Sequence, residues 1–452
     1  MIKIEEKEIS EYGTMFRWKC TVCGEIIESE FVPDICPVCG VGSELFIKLE
    51  DEKPKELSEK KENIVIIGAS GAGMYAAIEI RKRNKISDLT VISKEDVKGY
   101  FRPQLSKMLG NNDVTIESMT IKNDNWFRDN NVSLMLNKLV ERIDTVNKNV
   151  IFSDGQKLNY SKLIIASGAE VFVPPFSGRD KLGVFTLRYV SDGKAIKEYA
   201  KGKKTGAVIG GGVLGLEAAN ELKKLGLNIT VIEVADRILP RQLDNDASKI
   251  LEEVLKNDGI NFRKGIGTKE IIGDEKVKGI LLDNGEIIET DLVILSTGVK
   301  ANSMIAEGSG IEINRAIVVN EQMETSVSNV YACGDCAEFK GINYALWSEA
   351  IEQGKVAGIN AVGGQSVYNN IIPSTTLNAF GTKVFSIGDV GSDSSKEYKT
   401  YEYTDGNNYK KLYFVNDVFS GGILIGDTIK TVELIDGLEK GKKMNEMIDK
   451  FK

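Results

Sequence analysis

Two glycine turns, 142 residues apart, each follow a short apolar run and precede an apolar pattern of helical spacing. The first lies in Asn63 to Ala77 (NIVIIGASGAGMYAA) and the second in Ala207 to Leu216 (AVIGGGVLGL). A buried parallel strand, a tight turn and a helix produce this pattern, and the N-terminus of such a helix can face a pyrophosphate. The internal repeat predicts an α/β chain with two dinucleotide-binding units.

The first turn is incomplete and would be a weak signal alone. Gly68, Gly71 and Gly73 are present, but Ser70 holds the middle glycine position of G-x-G-x-x-G. A buried strand followed by a glycine turn with no cofactor would fit these residues about as well. We expect Gly68 to permit the turn and Gly73 to let the helix pack closely on its strand.

The second turn is complete, with Gly210, Gly212 and Gly215. Its second strand ends at Glu233, near the spacing of about 20 residues at which an acid binds the adenosine ribose. A carboxylate there accepts hydrogen bonds from ribose hydroxyls and repels a 2′-phosphate, so NADH is predicted over NADPH. Arg237 argues against this preference, although Arg237 could equally pair with a neighbouring acid or face solvent.

Each unit is closed by a buried strand that ends in small residues. The first closing strand leads to Ser167 and Gly168, and the second, starting at Leu292, leads to Gly298. With these strands the chain predicts two Rossmann-like domains, one for FAD and one for NAD. Ser93 and Lys94 follow the second strand of the first unit, where many flavin sites carry an acid, so the residue that binds the FAD ribose stays open.

Four of the six cysteines form two C-x-x-C-G turns near the N-terminus: Cys20 with Cys23, and Cys36 with Cys39. Twelve residues lie between Cys23 and Cys36. Two such pairs supply a tetrahedral set of four thiolates, which suits iron or zinc. Disulfides are the alternative, but they are rare in a reducing cytoplasm. Spacing alone leaves iron and zinc both open, because a zinc ribbon uses similar turns.

Composition excludes several classes of function. The net charge of −8 and the lack of a basic stretch mixed with aromatics argue against nucleic acid. No apolar run approaches the roughly 20 residues of a membrane helix, and the charged N-terminus lacks a signal-peptide core, so a cytoplasmic protein is expected. Histidine is absent, which removes imidazole catalysis and imidazole metal sites but leaves cofactor-borne hydride transfer.

The cysteine turns resemble rubredoxin, through Trp18-Lys19-Cys20 to Cys23-Gly and Cys36 to Cys39-Gly, followed by Phe46. The short gap between turns is more similar to the rubredoxin-like domain of rubrerythrins. This resemblance implies one iron that cycles between Fe(III) and Fe(II) and carries one electron.

The segment Arg102-Pro103-Gln-Leu-Ser106-Lys107 resembles the rubredoxin and ferredoxin reductases related to apoptosis-inducing factor. There the arginine-proline pair lies against FAD and the lysine points at the flavin ring, which implies these roles for Arg102, Pro103 and Lys107. Glu217 matches the glutamate that partners this lysine. Both Lys107 and Glu217 are thus expected catalytic residues.

Two later segments match the same family. Gly334-Asp335 resembles its FAD-binding turn, with Asp335 implied to hold a ribityl hydroxyl, and Trp347 begins a segment implied to lie near the flavin pyrimidine edge. Cys333 and Cys336 have redox-motif spacing but fall on this turn, so we interpret them as incidental small residues. The C-x₄-C of a flavin disulfide reductase is missing.

We predict a small N-terminal rubredoxin-like metal domain, a charged linker, two Rossmann-like domains and a C-terminal α+β cap. The expected bounds are 1–50 for the metal domain, 51–62 for the linker, 63–180 with 305–370 for the FAD domain, 181–304 for the NAD domain and 371–452 for the cap.

The function expected is an NADH-dependent flavoprotein reductase that passes electrons from NADH through FAD and the iron centre to a protein. Rubredoxin, rubrerythrin or a flavodiiron protein could accept them, in oxygen or peroxide defence of an anaerobe. The alternative is a peroxide-forming NADH oxidase whose N-terminal domain is a structural zinc ribbon. The sequence leaves the acceptor and the oligomeric state open.

Overall fold

The computed structural model describes residues 16–49 and 60–451. Most of the expected linker at 51–62 lies outside these residues. None of the helices in the described ranges has the length and apolar character that a membrane crossing requires.

The N-terminal unit is a three-stranded antiparallel sheet in the order β2-β1-β3. Its core is formed by cysteines together with Val38, Leu45 and Phe46. The strands are β1 (Phe16–Cys20), β2 (Ile26–Ser29) and β3 (Phe46–Leu49).

The next stretch opens with the parallel strand Asn63–Ile67, whose apolar residues 64–67 are buried. A short glycine turn then leads into a helix that begins at Gly71. Its strands are β4 (Asn63–Ile67), β5 (Asp88–Ile92), β6 (Val132–Met135), β7 (Val140–Asp144), β8 (Asn149–Phe152), β9 (Lys157–Asn159), β10 (Lys162–Ile165) and β11 (Ala169–Val171). Its helices are α1 (Gly71–Arg83), α2 (Lys107–Gly110), α3 (Ile116–Met119) and α4 (Asp124–Asp129).

A second strand-turn-helix unit follows, in which the helix begins at Val213 directly after Gly212. Its strands are β12 (Val184–Thr186), β13 (Thr205–Ile209), β14 (Asn228–Glu233), β15 (Asn261–Lys264), β16 (Thr268–Ile272), β17 (Gly279–Leu282), β18 (Ile287–Glu289), β19 (Val293–Leu295) and β20 (Val299–Ala301). Its helices are α5 (Val190–Tyr199), α6 (Val213–Lys224) and α7 (Asn245–Asn257).

The chain then returns to the first unit and ends in an antiparallel sheet. The strands are β21 (Ile317–Val319), β22 (Val330–Ala332), β23 (Ala337–Phe339), β24 (Ser374–Ala379), β25 (Thr382–Gly388), β26 (Lys399–Asp405), β27 (Asn408–Val415) and β28 (Val418–Ile425). The helices are α8 (Trp347–Ala361), α9 (Thr431–Glu439) and α10 (Met444–Phe451).

Two parallel five-stranded sheets form the centre of the molecule, in the orders β22-β10-β4-β5-β6 and β12-β19-β13-β14-β15. Their middle strands are buried on both faces, which explains the unbroken apolar runs in the sequence. The third five-stranded sheet, β24-β25-β28-β27-β26, is antiparallel and belongs to the C-terminal region. The expected fold class is confirmed.

Helices α1 and α8 pack closely and bring their N-termini to the same place. A Cβ on Gly354 would lie 2.3 Å from the Ala72 carbonyl oxygen, and one on Gly358 would lie 2.4 Å from that of Ala76. The two glycines therefore allow a backbone contact that no larger residue permits. Because both helices start at the C-terminal edge of the first sheet, their N-termini can act on one ligand.

Candidate cofactor cavity and four-cysteine centre

A cavity opens at the C-terminal edge of the first parallel sheet. It is lined by eleven of the residues predicted from sequence to bind cofactor: Gly68, Ser70, Gly71, Ser93, Lys94, Arg102, Ser167, Gly168, Gly334, Asp335 and Trp347. Helices α1 and α8 both begin at its wall, so their N–H groups and dipoles favour an anionic group such as a pyrophosphate.

The glycines of the first turn are required by close contacts. Gly68 has φ +112°, and a Cβ there would lie 2.0 Å from the Ala166 carbonyl oxygen. A Cβ on Gly73 would lie 1.9 Å from the Gly68 carbonyl oxygen, so Gly73 sets the packing behind the turn and does not line the cavity. The glycine turn and the backbone donors at the cavity wall fit the pyrophosphate of a dinucleotide such as FAD.

Charged side chains are held in pairs around the cavity. Arg102 donates to the Glu95 carboxylate at 3.0 Å and to the Tyr100 hydroxyl at 2.9 Å. Arg188 donates to Asp335 at 2.8 Å. Ser93 accepts a hydrogen bond from the backbone N–H of Glu95, and the expected ribose partner therefore stays open.

Arg188 was not anticipated from the sequence, although it lines the cavity and contacts Asp335. The only available signal was a basic residue placed just after the short strand β12. Pro103, in contrast, was expected at the cofactor and is absent from the residues that line the cavity.

Lys107 and Glu217, both expected at the flavin, are not among the residues that line the cavity. The Ser106 hydroxyl donates to Glu217 at 3.0 Å. Burial raises the pKa of Glu217 to about 7, while the nearby charge of Lys107 and the Ser106 bond act in the opposite direction. The structure thus brings together the expected lysine and glutamate, which come from α2 and α6.

The second glycine turn resembles the first in geometry. Gly210 has φ +116°, and Cβ atoms on Gly210 and Gly215 would each lie 2.1 Å from a backbone carbonyl oxygen. Gly212 caps the N-terminus of α6, and Gly298 has φ +102° just after β19. These positions fit the phosphate end of a nicotinamide dinucleotide.

Glu233 is buried at the end of β14 and is fixed by two backbone donors. Its carboxylate accepts from the Gly211 N–H at 2.7 Å and from the Ala235 N–H at 2.8 Å. Arg237 donates to Asp236 at 3.0 Å and to two backbone carbonyls of the following loop. Arg237 is therefore engaged locally.

The four N-terminal cysteines converge, and their sulfur atoms all lie within 4.8 Å of one another. Cys20 and Cys39 have Sγ atoms 3.6 Å apart, and those of Cys23 and Cys36 are 3.5 Å apart. A tetrahedral site with metal–sulfur bonds of about 2.3 Å requires sulfur atoms about 3.8 Å apart. The arrangement fits a single metal ion bound by four thiolates, and iron and zinc fit equally well.

Cys333 and Cys336 are separate from this centre and lie fully buried in the core of the first unit. Burial raises the pKa of both thiols. The Cys336 thiol donates to the Ile165 carbonyl at 3.4 Å. Neither thiol has the exposure or the lowered pKa of a reactive cysteine.

The metal unit is seated on the rest of the chain. Phe101 and Trp347 pack with the cysteine core, and their ring centroids lie 6.2 Å apart. The Tyr75 hydroxyl donates to the buried Glu25 carboxylate. Because Trp347 also lines the large cavity, one side chain contacts both candidate redox sites.

Three family models match the chain. Residues 62–354 match pyridine nucleotide-disulphide oxidoreductase, residues 373–442 match the rubredoxin NAD⁺ reductase C-terminal domain, and residues 18–47 match the rubredoxin-like domain of rubrerythrin.

Similar proteins include the nitrite reductase [NAD(P)H] of Bacillus subtilis, which is 36% identical over 85% of this chain and 48% of its own length. The assimilatory nitrate reductase electron transfer subunit of the same organism is 34% identical over 85% of this chain and 50% of its own length. The chain therefore spans about half the length of these two relatives. The NADH-rubredoxin oxidoreductase of Clostridium acetobutylicum is 32% identical over 86% of this chain and 97% of its own length.

The crystal structure of the Clostridium acetobutylicum NADH:rubredoxin oxidoreductase superposes with a TM-score of 0.74, covering 85% of this chain and 96% of that one. The NAD-dependent persulfide reductase of A. fulgidus gives 0.80 at 28% identity, over 85% of this chain and 78% of that one. The chain belongs to the pyridine nucleotide-disulphide oxidoreductase family and combines that fold with a rubredoxin-like domain and a C-terminal domain of the rubredoxin reductase type.

Proposed function

We propose that this protein is an NADH-dependent flavoprotein reductase that delivers electrons through its own four-cysteine centre to a protein acceptor. The observation that carries the proposal is the position of Trp347, which lines the dinucleotide cavity and packs against the cysteine core. The names of the relatives support a nicotinamide-dependent reductase. One chain thus holds sites for a two-electron donor, a flavin and a one-electron metal centre.

The residues of each site have separable tasks. Bound FAD supplies the conversion of a two-electron hydride donor into single electrons, and bound iron supplies a one-electron couple. Glu233 orients the NADH ribose, the N-terminus of α1 holds the FAD phosphates, and the N-terminus of α8 faces the flavin pyrimidine edge. Lys107 places a positive charge that favours reduced, anionic states nearby, while Ser106 and Glu217 orient this region. Phe101 and Trp347 exclude water between the two centres.

The acceptor is proposed to be another small iron protein, namely rubredoxin, rubrerythrin or a flavodiiron protein. The rubrerythrin type of the N-terminal domain supports a role in oxygen or peroxide defence. A second candidate is a peroxide-forming NADH oxidase with a zinc-bound N-terminal domain. This candidate is included in the test because one relative, from Methanocaldococcus jannaschii, is named NADH oxidase. That relative is 35% identical over 69% of this chain.

The test compares the full chain loaded with iron and the same chain loaded with zinc. Zinc keeps the fold of a four-cysteine site but has no accessible redox couple. We expect equal NADH-to-dye rates in both forms and at least a tenfold slower reduction of added rubredoxin by the zinc form. Equal rubredoxin rates would remove the metal centre from the path. Peroxide release in air at the full dye rate would favour the oxidase.

A further inference from the structure

The face of the metal domain that carries its cysteine turns is directed at the flavoprotein body, which here means residues 60–451. A Cβ on Gly40, next to Cys39, would lie 3.2 Å from Lys107 Nζ and 3.5 Å from Asn378 Nδ2. A Cβ on Gly24, next to Cys23, would lie 3.7 Å from Glu352 Oε1. Each C-x-x-C turn therefore contacts the body at its glycine.

Apolar and polar contacts hold the metal domain against the body, and the surface of the body that receives it is called the seat. Val22, between two cysteines, packs against the apolar core of the C-terminal domain, and Val432 of that domain packs against the cysteine core. Glu25 is 6% exposed and accepts a hydrogen bond from Tyr75 of α1. A buried carboxyl group that finds its partner on the other domain indicates a specific contact, because leaving it without one is costly.

The surface of the body that receives the domain is also the surface nearest to the cavity. Phe101 and Trp347 are packed under the metal domain, and Trp347 continues into the cavity wall. A second protein cannot reach Trp347 from this side while the metal domain is present. The seat is therefore the shortest route by which a protein-sized acceptor could approach the cavity from that side, and it is filled.

We propose that the metal domain is a resident occupant of the acceptor-docking face, so that the flavin is closed to other four-cysteine iron proteins and serves this chain's own centre. This inference deepens the proposed function and rests on it for the position of the flavin. A tethered domain has an effective concentration of order millimolar, well above that of a free competitor. If the seat is filled 90–99% of the time, external binding weakens about 10- to 100-fold.

Electrons can still leave the chain with the domain in place. Phe31 is 74% exposed and Ile35 is 64% exposed, in the loop that leads directly to Cys36. This loop does not belong to the apolar contact with the body. An acceptor can therefore approach the metal centre from the loop side without displacing the domain.

The experiment measures binding, without NADH, of a purified free-standing rubredoxin to two oxidised, FAD-loaded proteins. One is the full chain loaded with zinc, and the other lacks residues 1–59. Residues 60–452 contain both matched flavoprotein regions, 62–354 and 373–442, and the Clostridium acetobutylicum relative, 97% of whose length aligns with this chain, has a crystal structure of its own. We expect the shortened protein to bind rubredoxin at least tenfold more tightly than the full chain, in which only the loop side of the metal domain is open to rubredoxin, measured by titration calorimetry.

Two substitutions test the seat within the full chain. Tyr75→Phe removes the hydrogen bond to Glu25, and Val22→Asp places a charge in an apolar contact. Both should tighten rubredoxin binding several-fold while metal content stays unchanged. Tyr199→Phe, on α5 and outside these contacts, is the matched control and should bind as the parent does.

Equal affinity of the full and shortened proteins for rubredoxin would overturn the inference, and so would the absence of binding to both. Neither result depends on electron transfer, so the proposed function can fail separately. Rubredoxin reduction gives an independent reading, in which the shortened protein should outperform the zinc-loaded full chain. Equal rates in these two forms would also contradict the inference.

Discussion

Glu233 should decide which nicotinamide dinucleotide this protein uses. The side chain is 8% exposed, and backbone N–H groups at 2.7 and 2.8 Å fix its two oxygens. Each carboxylate oxygen keeps capacity for a further hydrogen bond, so the ribose hydroxyls of NADH can donate to a preoriented acceptor. Replacement by alanine removes this acceptor and leaves the Gly211 and Ala235 N–H groups without their partner.

The expected magnitude follows from the charge of the group. A hydrogen bond to a charged acceptor contributes about 1.5–3 kcal/mol, which is roughly a 10- to 100-fold loss of kcat/KM for NADH in Glu233→Ala. In the wild type, a 2′-phosphate would face this carboxylate. Two unit charges 4 Å apart repel by about 4 kcal/mol at an effective dielectric constant of 20. After screening we expect about 100-fold discrimination against NADPH.

The assay is the steady-state reduction of a small dye with NADH and with NADPH. Glu233→Ala should bring the two kcat/KM values to within about tenfold of each other, chiefly through lost NADH efficiency. Asp236→Asn is the matched control, because it removes a nearby exposed charge without touching the Gly211 contact. A wild-type enzyme that uses both dinucleotides equally well would refute the role of Glu233.

Three further changes test the region around the two candidate redox centres. Lys107→Met should leave FAD bound but slow the reduction of FAD by NADH, measured by stopped flow. It should also lower the reduction potential of the flavin, because a nearby positive charge is lost. Unchanged reduction kinetics would show that Lys107 has no role in flavin reduction. Glu217→Gln should abolish a pH dependence near 7 in flavin reduction. The folded-state pKa of Glu217, about 7, is higher than the unfolded value of about 4.3. The protonated side chain therefore stabilises the fold fully below pH 4.3, and this stabilisation is lost as the pH rises through 7. The loss is at most about 3–4 kcal/mol of unfolding free energy. Thermal unfolding between pH 5 and 8 should therefore show the wild type losing stability relative to the glutamine variant, and parallel curves would contradict this. Gly40→Ala and its control Gly24→Ala impose similar backbone strain at φ +75° and +76°, but only Gly40→Ala brings a methyl group against Lys107. Limited proteolysis should therefore release the metal domain more readily from Gly40→Ala. Equal susceptibility of the two variants would show that the Lys107 contact does not hold the domain.

The elements that could be predicted from sequence are those specified by neighbouring residues. The apolar run at residues 64–67, bounded by a glycine, is typical of a strand buried on both faces, and the glycine after it turns the chain toward a helix. The four cysteines were predictable for the same reason, because each C-x-x-C-G turn is local and two of them complete one site. The family membership and the fold class drawn from these patterns are confirmed. The domain bounds and the roles of the individual site residues stay predictions.

Contacts between distant residues could not be predicted in this way. Arg188 and Asp335 are 147 residues apart, and Tyr75 and Glu25 are 50 apart, and no local pattern joins either pair. The seat of the metal domain depends on such pairs and on the packing of Trp347, whose spacing in the sequence fits an ordinary core residue equally well. Ser93 is a different case. The sequence showed that the acid usually found at this position is missing, but it did not indicate which other residue would bind the FAD ribose.

Lys107 links the two halves of the proposed electron path through charge. The family resemblance places this lysine beside the flavin ring, and the structure places its ammonium group next to Gly40, the residue after Cys39. Reduction adds negative charge at a flavin and also at a four-thiolate metal site. A cation close to both stabilises the electron on either side, so its transfer between them meets little change in electrostatic energy. Because the pKa of Glu217 is raised to about 7, its side chain gains a negative charge as the pH rises through this value. That charge offsets part of the positive charge of Lys107. Under the proposed function with iron in the four-cysteine site, the lysine expected to favour reduced flavin would therefore also favour a docked, reduced metal domain, because one chain carries both centres.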